Sequence, residues 1–383
     1  MDTEITCRVV APNDKIARRA LASAWAEMDL CARLLDRYRG PSEAYARGDA
    51  AARRDPAQAP SDVWRLNAEA GKWAIEVDPL TVTCLGVARE VWKMTDGAFD
   101  PTVGPLVDLW REAATRGTPP TDDEIAKARA LVGMDKVEIL VATVQKRPDE
   151  MPSLSPDAPP PTPAELTRMV SSAGLAAGMR LDLGGIAKGY AAGRMARRMQ
   201  MAGATAGLVA AAGDIVGFGR RPESLVGPGG ETRWGVAVQD PRHPEDSSNP
   251  AMHQHPYTAI RLEDRAVDTS GHYRRGVTIG GRRYSHILDP RTGRPVETRL
   301  ASVTVVARDP ATSDALSTAI AVLGVEKGLA LVEATDGVEC LILEWKPRPG
   351  QIEPPTGAPP ENAELVAHRS KGFAAMEFKP TRD

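Results

Sequence analysis

The last third of the chain runs ASVTVVA (301 to 307), TSDALSTAIAVL (312 to 323), EKGLALVEA (326 to 334) and VECLIL (338 to 343), and this stretch decides the fold class. Its outer segments have strand composition, and the two between them carry apolar residues at helical spacing, among them Leu316, Ile320 and Leu323. Towards the N-terminus, EITCRVV (4 to 10) reads as a strand leading into a helix over 14 to 38, with Ile16, Ala20, Ala24, Met28, Cys31 and Leu35 on its core face. A second helix covers 80 to 95 and stops at Gly97, and Thr121-Asp-Asp-Glu124 has the form of a capping box that opens a third. Strand-like runs follow at 137 to 145, 166 to 175, 205 to 211, 233 to 238, 257 to 262 and 276 to 287, the last turning at Gly280-Gly281, with a final short strand near 373 to 378. No strand-helix-strand unit repeats, so the pattern predicts an α+β architecture and not a doubly wound parallel sheet.

With 383 residues, 42% of them apolar, the chain has ample material for a large core. A formal charge of −3 supplies no general basic field, which argues against nucleic acid or an anionic membrane surface as a partner. Cys7, Cys31, Cys84 and Cys340 form no CxxC pair and read as core thiols. The opening MDTEITCRVV lacks the basic-then-apolar order of a signal peptide, and no stretch approaches the roughly 20 apolar residues of a membrane span. The stretches 41 to 60 and 147 to 165 have the composition of exposed insertions, and 346 to 361 that of a Pro- and Gly-containing loop. One continuous globular unit over 1 to 383 is expected.

Three segments carry candidate chemistry. LDLGGIAKGY (181 to 190) passes from a strand-like run through Gly184 and Gly185 into an amphipathic segment. Such a turn lets backbone approach a ligand, a helix N-terminus favours phosphate, and Lys188 adds a mobile positive charge. The spacing matches neither the P-loop nor GxGxxG, and a structural Gly-Gly turn is the alternative reading. Asp314 and Thr318 are four apart on one helix face and offer two hard oxygens to a cation such as Mg²⁺. A dipole-favoured aspartate and a threonine bonded back to its helix are the alternative. In AVDTSGHYRRGVTIGGRRYSHILDPRTGRPVE (266 to 297), His286 can act as a general base if set against a hydroxyl, or serve structure alone.

Read in order, several stretches resemble the FAD:protein FMN transferase family, also known as ApbE. They are Thr95-Asp-Gly-Ala-Phe-Asp-Pro-Thr-Val-Gly-Pro-Leu106, Leu181-Asp-Leu-Gly-Gly-Ile-Ala-Lys-Gly-Tyr190, Ala212-Gly-Asp-Ile215, Thr269-Ser-Gly-His-Tyr-Arg274, Tyr284-Ser-His-Ile-Leu-Asp-Pro-Arg-Thr-Gly293 and Asp314-Ala-Leu-Ser-Thr318. The resemblance covers nearly the whole chain and implies a T-fold-like arrangement of two closely packed halves of mainly antiparallel sheet with helices. It implies that Asp314, Thr318, Gly185 and Ser317 hold Mg²⁺ against the pyrophosphate of FAD. Lys188 would pair with a phosphate, while Met1, Asn67, Ala98, Phe99, Asp100, Asp182 and Leu288 would line the flavin nucleotide. His286 would help activate the acceptor hydroxyl, with Asp314 the second catalytic group.

The activity implied is Mg²⁺-dependent transfer of FMN from FAD to a threonine or serine hydroxyl of a target flavoprotein, with release of AMP. Implied partners are flavin-carrying subunits of redox pumps or flavin-dependent reductases. A Mg²⁺-dependent FAD pyrophosphatase giving FMN and AMP, and a non-catalytic FAD carrier, are the rival readings. The family is usually exported, whereas these residues contain no signal peptide or lipobox, which leaves a cytoplasmic protein or one whose export signal was removed.

Overall fold

The segment Leu300–Ala307 is buried at all eight of its positions. A strand apolar on both faces needs a layer on each side, and that requirement organises the molecule. In the computed structural model, which describes residues 4–145, 167–223, 231–243, 256–271, 276–346 and 364–378, this strand lies inside a seven-stranded sheet. Its strands, numbered here in chain order, are β1 (Ile5–Val10), β2 (Ala206–Ala211), β3 (Asp214–Phe218), β4 (Arg265–Gly271), β5 (Leu300–Ala307), β6 (Glu339–Lys346) and β7 (Glu364–Arg369). They stand side by side in that same order, each antiparallel to its neighbour.

One face of the sheet packs against three helices, α1 (Asp14–Leu35), α2 (Ala187–Met201) and α3 (Pro310–Glu333). Val209, Val216, Val303, Val305 and Ile342 point into that layer and meet Met195, Met199, Leu316 and Ile320. The opposite face, with Ala210, Ile215, Val267, Val306, Leu341 and Leu343, is covered by a three-stranded sheet built from 234–239, 256–262 and 377–378. Each large aliphatic side chain contributes about 1.5–3 kcal/mol on burial, so the double layer is what makes β5 and β6 stable in the middle of the molecule. A smaller core joins the hairpin 276–285 to the helix Gly104–Arg116 through Trp110, Ala113 and Ile279.

The α+β class expected from the sequence is the class observed, and most strands and helices fall close to the expected segments. Of the strand expected near 373 to 378 only Glu377–Phe378 forms, because Phe373–Ala375 turns as a short 3-10 helix. The start of α1 illustrates the agreement, because Asn13 caps it by accepting the Ile16 N–H at 3.0 Å. The capping box at Thr121 and Glu124 is formed reciprocally. The Gly280-Gly281 turn has φ of +56° and +81°, the paired positive values of a tight hairpin.

Several elements have no counterpart among the expectations from sequence, chiefly the helices Asp62–Ala68 and Gly104–Arg116 and the strands β3, β4 and β7. The Gly104–Arg116 helix starts at Gly-Pro without a side-chain cap, so proline in its first turn is the start signal there and no capping side chain reinforces it. Strand β4 carries polar residues at Asp268, Thr269 and Ser270, which obscure its alternation. The two helices expected at 312 to 323 and 326 to 334 are both present as the two halves of α3, separated at Gly324, whose φ of +81° leaves the helical path.

The stretch 41 to 60 is more ordered than an exposed connection. It forms the short helices Glu43–Ala46 and Ala50–Arg54 and is closed at its neck by Ser42 N–H to Gln58 O (3.0 Å) and Ser61 N–H to Arg39 O (2.9 Å). The insertion at 147 to 165 and most of the loop at 346 to 361 lie outside the described residues. By length and composition α3 could cross a membrane, the single such helix among the described residues, but its first half is buried against β4 and β5 and carries Asp314.

Candidate functional site

The site grows from the contact between the starts of α2 and α3. Helix α2 begins after the turn at Gly184 and Gly185 with no side-chain cap, which leaves its first N–H groups for other acceptors. Asp314, one turn into α3, takes one of them: its Oδ2 accepts the Gly189 N–H at 3.0 Å. Only glycine allows this approach, since a Cβ at Gly189 would sit 2.3 Å from Pro310 O and 2.8 Å from Asp314 Cβ. Side by side with Asp314 lie Asp214, at the start of β3, and Asp268, in β4. All three aspartates are buried, and one carboxylate oxygen of each lies within 4.8 Å of the others.

Among the described residues, Lys188 is the cation that serves this cluster. Its Nζ is 2.8 Å from Asp214 Oδ2 and 3.3 Å from Asp314 Oδ1. Burial alone would lower the amine's pKa, but the carboxylates of Asp214 and Asp314 outweigh it and raise it. The carboxyls are raised too, because burial and mutual repulsion both favour their neutral forms. Burial, with Asp314 as a neighbouring like charge, pushes Asp268 up to about 6. Burial together with Asp214 pushes Asp314 up to about 7, and Asp214 is raised well above its ordinary value by burial and Asp268. Fully ionised, three carboxylates and one ammonium leave two negative charges in a buried space. Among the described residues Asp214 Oδ1 has no hydrogen-bond partner. Such an orphaned hard oxygen beside two other carboxylates fits a divalent cation that takes oxygen ligands.

The remaining residues expected at a site divide into two groups. Thr318, Gly185 and Phe99 come together: a Cβ on Gly185 would lie 3.2 Å from Thr318 Oγ1 and 3.4 Å from Phe99 Cε2. Ser317 Oγ rests against the Asp268 carboxylate, 2.8 Å from Asp314 O and 2.7 Å from Ser270 Oγ. Asp182 leads the same turn, with Oδ1 accepting the Gly184 N–H at 2.9 Å. Asn67 clamps the preceding residue from both sides, accepting the Leu181 N–H at 2.6 Å and donating to Leu181 O at 3.1 Å.

Ala98 and Asp100 are buried beside Phe99. The Asp100 carboxyl, raised by burial, accepts from Thr102 and from the Met134 N–H. These bonds hold the segment 98 to 102 and leave Asp100 facing the protein. Leu288 sits half-buried where 288–289 pairs with 294–295, and His286 is exposed on the bend just before it. Lys188 is tied to the carboxylates in this structure, and Met1 lies outside the described residues.

Asp214, Asp268 and Arg37 are absent from the site residues expected from sequence. A charged residue within a run such as RAVDTSG is the available signal for Asp268, because an unpaired buried carboxylate is costly without a purpose. Asp214 lies inside the family-like stretch 212 to 215, where sequence alone gives it no role.

Comparisons with known proteins bear on the family and the fold. Residues 1–342 match the profile described as the ApbE family. The chain is 32% identical over 276 residues to the FAD:protein FMN transferase of Vibrio cholerae, covering 72% of this chain and 70% of that one. It is 30% identical to the protein of the same name from Treponema pallidum, covering 73% and 69%. Among solved structures, the flavinyl transferase ApbE of Pseudomonas stutzeri superposes with a TM-score of 0.63 at 25% identity, covering 98% of this chain and 96% of that one. The ApbE protein of Thermotoga maritima does so at 0.64 and 26%, covering 98% and 99%.

Proposed function

The chain belongs to the ApbE family and is an enzyme, and from that premise we propose that it moves the FMN half of FAD onto a threonine or serine hydroxyl of a target flavoprotein in a divalent-cation-dependent reaction. The observation that carries the proposal is the buried, under-compensated trio Asp214, Asp268 and Asp314 beside the glycine turn. Asp314, Thr318, Ser317 and the Gly185 backbone are the residues proposed to hold Mg²⁺. A cation there supplies charge neutralisation at the pyrophosphate, the usual contribution of a metal to phosphoryl transfer.

The protein's own groups do the rest. The glycine turn and the uncapped start of α2 accept a phosphate closely, and Asn67 and Asp182 fix the approach to that turn. The acceptor oxygen forms its bond to the FMN phosphorus as the bond from that phosphorus to AMP breaks. AMP leaves with the electron pair, and the acceptor proton passes to a base, for which the exposed imidazole of His286 is proposed. The acceptors proposed are flavin-carrying subunits of redox pumps or reductases.

The test is incubation with FAD, Mg²⁺ and a flavoprotein fragment carrying an acceptor threonine. An acid-stable fluorescent flavin on the fragment is the expected result. Free FMN and AMP alone would replace transfer by hydrolysis, and bound but intact FAD would leave only a carrier.

A further inference from the structure

Arg37 follows the end of α1, and its side chain is only 7% exposed. Its guanidinium bridges two carboxylates from separate segments: Nη1 donates to Asp182 Oδ2 at 2.9 Å and Nη2 to Asp108 Oδ1 at 2.7 Å. Asp108 belongs to the helix Gly104–Arg116, and Asp182 opens the glycine turn. A planar fork with fixed donor directions can hold two carboxylates at a set angle, which a flexible ammonium cannot.

The consequence falls on Asp182. One of its oxygens accepts the Gly184 N–H at 2.9 Å and the other accepts from Arg37, so its side chain is held in a single orientation. A carboxylate offers about four acceptor directions, and these two bonds leave about two for the N–H or O–H donors of a ligand. The Asp182 side chain keeps 19% of its surface exposed, well above that of Arg37, so the aspartate is the member that a ligand can reach.

We propose that Arg37 is a positioning residue that sets the affinity for the flavin nucleotide by locking Asp182 in its ligand-ready orientation, with Asp108 as the anchor that fixes Arg37. This rests on the assignment of FAD as substrate. Arg37 makes no bond to the carboxylate trio among those described, so its effect falls on binding and not on the chemical step.

The experiment compares the intact protein with Arg37→Ala, Arg37→Lys and Asp108→Asn. FAD binding is followed by flavin fluorescence, KM for FAD and kcat are measured in the transfer assay, and folding is followed by thermal unfolding. Arg37→Ala is expected to raise the FAD dissociation constant and KM about tenfold with kcat within about threefold, the signature of lost ground-state positioning. Arg37→Lys keeps the charge without the fork and should recover only part of that loss, as should Asp108→Asn, which keeps Arg37. Unchanged FAD affinity in a folded Arg37→Ala protein overturns the proposal, as does a fall in kcat with KM unchanged. If Arg37→Ala does not fold, Arg37→Lys and Asp108→Asn decide by the same KM criterion. An unsubstituted protein that does not bind FAD overturns the substrate assignment itself, an outcome distinct from the others.

Discussion

Helix α2 carries a buried charge cluster at each end, and the two are built on opposite balances. Towards its C-terminal end, the Glu27 carboxylate from α1, 3% exposed, meets both Arg194 and Arg198. Burial raises the Glu27 pKa, but the two guanidiniums prevail and lower it. At the N-terminal end, Lys188 faces the Asp214, Asp268 and Asp314 carboxylates almost alone, and all three acids are raised. A carboxylate given more cations than it needs is a clasp between helices. Carboxylates given fewer than they need suit a charge from outside, and that balance sets the proposed site apart from the clasp along one helix.

The largest expected effect tests the deficient end. Asp314→Ala should lower transfer by about a thousandfold while the protein stays folded, because the change removes an electrostatic group and relieves a buried repulsion. Rates close to those of the unsubstituted protein would erase the contrast. The cation-rich end should show the reverse pattern. Glu27→Ala should cost about 2 kcal/mol of stability in denaturant unfolding, discounted because both arginines are partly exposed, and leave kcat per folded molecule unchanged. A catalytic defect there would mean that the clasp also serves the site.

Asp214→Asn sharpens the comparison at smaller scale. It should weaken Mg²⁺ or Mn²⁺ binding by about tenfold in calorimetry and leave the metal-free melting temperature the same or higher. A metal affinity equal to that of the original protein would remove Asp214 from the cation's surroundings.

The smallest effect is on pH dependence. Asp268 and Asp314 are raised to about 6 and about 7, above their unfolded values, so they bind protons more tightly when folded. The stability they contribute is complete below about pH 4 and is lost as pH rises through 6 to 7. The metal-free protein should therefore melt a few degrees lower at about pH 8 than at about pH 5, with Mg²⁺ restoring more at the higher pH. A gain from Mg²⁺ that is equal at both pH values would contradict the charge deficit.

The sequence by itself determined the α+β class, the positions of α1, α2 and α3, the hairpin turn at Gly280 and Gly281, and the pairing of Asp314 with Thr318 on one face. These are local: periodicity, caps and glycine turns act over a few residues, so the chain declares them without folding. It also placed Gly185 and Lys188 at a helix start. What only the tertiary structure decided is the company these residues keep. Asp214 and Asp268 stand on strands far apart in the chain, and they become neighbours of Asp314 because β3 and β4 pair beneath α3. Arg37 likewise meets Asp182 only when the exit of α1 packs beside the glycine turn. Charge balance in a buried space depends on distances between segments remote in sequence, and those distances exist only once both faces of the central sheet are covered.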